Sequence, residues 1–98
     1  MNQKLCEAIS DRKIIAFYYD GGYRTVEPYA YGASGAGKEI LRGYQLGGFS
    51  DSNAPEGWKL FHISRIKNLV VMEEKFSYNR EDYNPADPAM QEIFCEVE

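Results

Sequence analysis

The sequence predicts a mainly β fold, a meander of five short strands behind one N-terminal helix, and three observations predict it. Large apolar residues interleave, approximately in alternation, with polar ones in Ile40-Leu41-Arg42-Gly43-Tyr44 and in Trp58-Lys59-Leu60-Phe61-His62-Ile63-Ser64-Arg65-Ile66. Each run therefore sends one face to a core and presents polar side chains on the other. β-Branched and aromatic residues fill Ile14 to Tyr19, the composition of a pleated, half-buried surface. Turn signals, Asp20-Gly21-Gly22 and Gly32 to Gly37, punctuate the runs.

Taken in order, residues 3–11 place Leu5, Ala8 and Ile9 at i, i+3, i+4 with Asn2 as a cap, so a short amphipathic helix opens the chain and plugs the end of the sheet. Ile14 to Tyr19 and Tyr23 to Tyr31 form a hairpin. Pro28, which has no N–H for a ladder, marks an edge, bulge or bend in its return strand. Gly32 to Gly37 is a flexible hairpin tip, Glu39 to Gly47 the third strand, and Gly47 to Gly57 a long turn-rich loop. Trp58 to Ile63 and Lys67 to Met72 complete five strands. Beyond them, Ser77 to Pro88 reads as an extended segment pinned by Tyr78 and Tyr83. Asp87-Pro88 then reads as a cap and first position of a short helix running through Phe94. Its stripe of Met90, Ile93 and Phe94 needs a partner surface, either the same chain or a neighbouring subunit.

Ninety-eight residues suit one domain with one modest core. The expected division is residues 1–76 as the β domain and 77–98 as an acidic extension packing on it or on a neighbouring subunit. A 44% hydrophobic share with 14% aromatic residues, eight of them tyrosine, is that of a folded protein with half-buried sheet surfaces. No apolar stretch approaches the ~20 residues of a membrane span, and Met1-Asn2-Gln3-Lys4 lacks the apolar core of a secretion signal. A cytoplasmic location without membrane contact is expected. On that footing Cys6 and Cys95 are expected as free thiols, although a terminus-to-terminus disulfide is geometrically conceivable. The net charge of −4 is unevenly spread: +2 over residues 1–72 and −6 over 73–98. Such a chain is no all-basic nucleic-acid binder. Its acidic tail is either a solvated segment or a cover for the body's basic face.

The element order, a helix and five strands in a meander with a short turn between the fourth and fifth, resembles an Sm-like small β-barrel. The residues further resemble the WYL domain, a bacterial module named for a Trp-Tyr-Leu triplet on its third strand, from about Leu5 to Phe76. Ala8-Ile9 before Ile14-Ile15-Ala16-Phe17-Tyr18-Tyr19, and Arg24-Thr25-Val26-Glu27-Pro28-Tyr29, are similar to its opening strand and its R-x-V-x-P return strand. Ile40 to Tyr44 occupies the place of the triplet and of the strand after it. Lys59-Leu60-Phe61-His62-Ile63-Ser64-Arg65-Ile66 is similar to the R-x-F-x-L-D-R-I segment, and Val70, Val71 and Phe76 to the closing strand. The triplet is degenerate: Glu39 and Ile40 replace its Trp and Tyr, and only Leu41 remains. Lys59 stands for an Arg and Ser64 for an Asp. The resemblance implies a sensor of nucleic acids or small ligands that regulates transcription or phage defence. Such modules are usually fused to a helix-turn-helix, for which this chain has no room, so the output domain is expected on a separate protein.

Gly32 to Lys38 spells G-x-x-x-x-G-K, yet Glu39 replaces the Ser/Thr that would ligate magnesium and a strand comes next instead of a helix, so a phosphate-binding loop is not expected. His62 is the only histidine and neither cysteine stands at metal-site spacing from it. His62 and Ser64 have no orienting carboxylate at a readable position, and Glu73-Glu74 reads as a solvated strand end. No enzyme activity, cofactor or metal is expected. The functional constellation is Arg42, Tyr44, Lys59, His62 and Arg65, with Tyr18 and Arg24 as weaker candidates. Cations beside aromatic faces on a sheet pair with phosphates or carboxylates while a planar group stacks. The expected function is a non-enzymatic binding module for single-stranded nucleic acid or a small anionic ligand. The alternative is a protein-interaction or self-assembly module, with a homodimer as its simplest form.

Overall fold

The computed structural model describes residues 2–50 and 54–98; Asp51, Ser52 and Asn53 of the 47–57 loop lie outside the described residues. Helix α1 (Gln3–Ser10) begins where expected because the Asn2 side chain accepts the Leu5 N–H, at 3.0 Å. It buries Leu5, Ala8 and Ile9. Arg12, at φ 56°, turns the chain out of the helix into β1 (Lys13–Tyr19). Asp20 and Gly21 hold φ values of 44° and 107°, so Tyr19 pairs with Gly22 across a two-residue turn into β2 (Gly22–Ala33). The hairpin tip proves shorter than Gly32 to Gly37. Gly32 and Ala33 still belong to β2, and Ser34 closes the turn by donating its N–H to the Lys38 carbonyl at 2.8 Å. The chain then enters β3 (Glu39–Gly48), which leaves no helix N-terminus to cradle a phosphate. β4 (Gly57–His62), a 3-10 turn (Ile63–Arg65) and β5 (Lys67–Lys75) come next.

All pairings are antiparallel, in the order β4-β3-β2-β1-β5. The β2–β3 register shifts between Pro28 and Ala30, so the proline sits at a bulge. The bulge also divides β2. Its first half, to Val26, pairs with β1, and residues 30–33 are left without β1 on that side. The core gathers Ile15, Phe17, Val26, Tyr29, Tyr31, Leu41 and Phe61 under α1. Phe61 meets Phe17 and Tyr19 edge to face, each at 5.0 Å between ring centres.

The segment after Phe76 corrects three expectations. Asp87 does start a turn, accepting the Ala89 N–H, but no helix forms beyond it. Instead the Gln91 N–H bonds to the Ala33 carbonyl, and β6 (Glu92–Glu96) pairs with β2 at residues 30–33. The open half of β2 thus captures Ile93, Phe94 and Cys95, whose β-branched, aromatic and small side chains suit a strand as well as a helix. Second, Tyr78 pins nothing, being 86% exposed, whereas Tyr83 stacks on Trp58 and packs against Tyr29. Third, the two cysteines are not free. β6 runs beside α1, the Cα atoms of Cys6 and Cys95 stand 5.5 Å apart, and a disulfide joins them, the separation such a bond requires. No helix among the described residues is long and apolar enough to cross a membrane.

Candidate functional site

The five candidate residues do not meet on one patch. Arg42 and Tyr44 are two apart on β3 and share a face with Leu60 and Trp58, their partners on β4. Lys59 stands opposite Gly43, out of step with them, and reaches the Ala54 carbonyl at 2.7 Å. His62 ends β4 and Arg65 lies in the 3-10 turn behind it. Tyr18 pairs with Tyr23 on the β1–β2 hairpin. Arg24, the other weaker candidate, is buried among the rings of Tyr19, Phe49 and Phe61, at 5.0–5.8 Å from their centres. It belongs to the core.

Two of the five, His62 and Arg65, line one open hollow of about 600 Å³ with Lys38, Glu39, Ile63 and Ser64. The antiparallel pairing of Ile40 with His62 brings the start of β3 against the turn. Arg65 makes an ion pair with Asp20 and lies 5.0 Å over the Tyr19 ring. It also borders an adjoining hollow lined by Tyr18, Asp20, Ser64 and Lys67. Glu39 is engaged, accepting the Tyr31 hydroxyl at 2.6 Å. Lys38, Arg65 and Lys67 therefore outnumber Asp20 and Glu39 across the two hollows. The region carries a slight cationic excess without being strongly basic. No group of three or more His, Cys, Asp or Glu among the described residues is placed to hold a metal.

Arg42 and Tyr44 are covered by the segment between β5 and β6. The Arg42 guanidinium donates to both Asp87 carboxylate oxygens, at 2.6 and 3.2 Å. Arg80 lies 3.5 Å from the Tyr44 ring centre and bonds Glu27 at 3.0 Å. Beside them a hollow of about 220 Å³ is lined by Arg42, Trp58, Asp82, Tyr83, Asn84 and Asp87. Burial first, then the charges of Glu96 and Asp87, pushes the Tyr83 phenol up to about 12. The hydrogen bond from Arg42 holds the Asp87 carboxyl below its ordinary range, with the Ala89 N–H assisting against burial.

This depression gives a pH dependence with a definite sign. The pair's contribution is complete above the unfolded carboxylate pKa of about 3.9 and is lost as pH falls through the lower folded value. Asp87→Asn should therefore be less stable than wild type at pH 7, and the gap should close on acidification below about pH 4. Urea titrations across that range measure it, and a gap independent of pH would show that the pair carries none of the stability.

Comparison with known proteins gives no match: no family model, no curated protein and no solved structure matches the chain.

Proposed function

We propose that this protein is a non-enzymatic, WYL-like binding module with an Sm-like small barrel, which takes a small anionic ligand in the hollow beside Arg65. The observation that carries this reading is the convergence of Lys38, His62, Ser64 and Arg65 on one open concavity, of a size suited to a small molecule. The strand order and the 3-10 turn between β4 and β5 support the barrel reading. Arg65 is half exposed, so its ion pair with Asp20 is readily exchanged for a ligand phosphate or carboxylate.

A titration with a mononucleotide and with a labelled single-stranded oligonucleotide, against wild type and Arg65→Ala, tests this. Loss of one charge-assisted contact should weaken mononucleotide binding about tenfold or more. Steeply salt-dependent binding of the oligonucleotide alone would instead assign the surface to single strands. Equal, weak binding of both probes by both proteins would remove the proposal.

A second reading, self-assembly, is favoured by a different face. Tyr23 and Val70 are more than half exposed, and Tyr18 pairs with Tyr23 while Ala16 pairs with Val70, so the outer side of β2, β1 and β5 carries an apolar patch. β5 is also an end strand of the sheet order, the position at which a further strand can add. Light scattering decides: a mass equal to one chain at all concentrations rules assembly out.

A further inference from the structure

We infer that the Cys6–Cys95 disulfide is a redox clasp, and that opening it uncovers a second anion-binding face formed by Arg42, Tyr44 and Trp58. Four observations converge. The bond joins α1 to β6, a five-residue strand paired with residues 30–33 of β2. Both cysteines line a surface hollow with Ser10, Arg12 and Glu96, which gives a small thiol access. The segment that β6 anchors, residues 77–91, contains no helix or strand. What it does contain is a carboxylate and a guanidinium laid on this face: Asp87 grips Arg42 with both oxygens, and Arg80 covers Tyr44.

Asp87 occupies Arg42 as the carboxylate or phosphate of a planar ligand would, through two N–H donors. The hollow beside that pair is walled by Trp58, whose buried Nε1–H finds no hydrogen-bond acceptor among the described residues. A donor in that position is unsatisfied with the cover on, and an acceptor group of a ligand would satisfy it. While the disulfide is intact, Cys95 stays tethered to α1, which limits how far β6 can part from β2. Reduction consumes two external thiols, RSH, which supply two electrons and two protons. The Cys6–Cys95 S–S bond breaks, two Cys thiols form, and the external thiols leave as RSSR. β6 is then held by its ladder, by its buried side chains and by the hydrogen bonds that Arg12 and Asn79 donate to the Glu98 carbonyl, and with the covalent tether gone it is able to open locally.

Trp58 is the only tryptophan, so its fluorescence reports this face directly. The experiment compares quenching by iodide, an anion, and by neutral acrylamide, in the oxidised protein and after dithiothreitol. Amide exchange of β1 and β6 is monitored alongside. On reduction, exchange at residues 92–96 should rise about tenfold or more while β1 stays protected. Iodide quenching should rise at least about threefold and exceed the gain for acrylamide, because Arg42 concentrates the anion. The same reduced protein carrying Arg42→Gln should lose that excess. Three results overturn the inference: unchanged β6 exchange, which makes the disulfide irrelevant to the cover; joint loss of protection in β1 and β6, which makes it a staple of the whole domain; and equal gains for iodide and acrylamide, which leaves an uncovered face without anion preference. Failure here leaves the mononucleotide titration at Arg65 unaffected, since that hollow lies beyond the cover.

Discussion

Replacing Gly32 by valine should expel β6 from the sheet and lower stability by about 2–4 kcal/mol. A Cβ at Gly32 would overlap the Glu92 carbonyl oxygen and stand 3.0 Å from the Ile93 Cα and 3.1 Å from the Glu92 carbonyl carbon. All three atoms are backbone, so no rotamer change relieves the collision and β6 itself must withdraw. With it go the pairing to residues 30–33 and the burial of Val97 and Met90, the latter packed with Ala30 and Ile40. Burial of one such side chain contributes roughly 1.5–3 kcal/mol, and the released residues recover part of this as chain entropy. The net loss is therefore a few kcal/mol, well below the sum of the burials. Because the disulfide holds Cys95 against α1, the displaced strand cannot leave freely in the oxidised variant. Reductant should accordingly diminish the variant's deficit relative to wild type. Urea denaturation with and without reductant measures both quantities. A valine variant within about 0.5 kcal/mol of wild type would show that β6 does not sit as described.

Local signals make the first half of the chain readable. Asn2 and the Leu5, Ala8, Ile9 spacing locate α1 to within a residue, and Asp20-Gly21 locates the hairpin, because caps and tight turns are decided by neighbours in sequence. β6 is not readable for the opposite reason. Asp87-Pro88 is a sound local helix start, and what overrides it is the half of β2 left open beyond the Pro28 bulge, some 60 residues upstream. The disulfide depends on that same pairing, so it is hidden with it. In the site, Arg42 and Tyr44 do share one strand face, yet their partners Asp87 and Arg80 come from a distant segment whose only sequence signal is its excess of acidic residues. Lys59 falls one step out of register with them. Lys38, which the candidate set lacks, sits in a glycine-rich tip, and only the pairing of Ile40 with His62 brings it to the turn.

Arg80→Ala should cost about 2–3 kcal/mol, the largest effect expected of any exposed or half-exposed side chain here. The Arg80 guanidinium reaches both oxygens of Glu27, at 3.0 and 3.4 Å, and lies on the Tyr44 ring. Glu27 is only 7% exposed, and without Arg80 its remaining side-chain partner among the described residues is the Tyr29 hydroxyl at 3.3 Å. Stripping the partner from a buried charge costs about 3–5 kcal/mol. Arg80 is itself about one-third exposed, so water enters the vacated space and the lower figure applies. The lost ring contact adds about 0.5–1 kcal/mol within that total. The backbone bond from the Arg80 N–H to the Tyr29 hydroxyl survives the substitution, which keeps the segment's path and confines the effect to the side chain. Two further variants separate the causes. Arg80→Lys keeps the charge but not the planar fork, so it should recover only part of the loss. Adding Glu27→Gln to Arg80→Ala removes the stranded charge, so the double variant should be more stable than Arg80→Ala alone. If the double variant were as unstable as the sum of the two singles, no coupling would exist between Glu27 and Arg80. The covering segment would then be held by the disulfide and β6 without help from this pair.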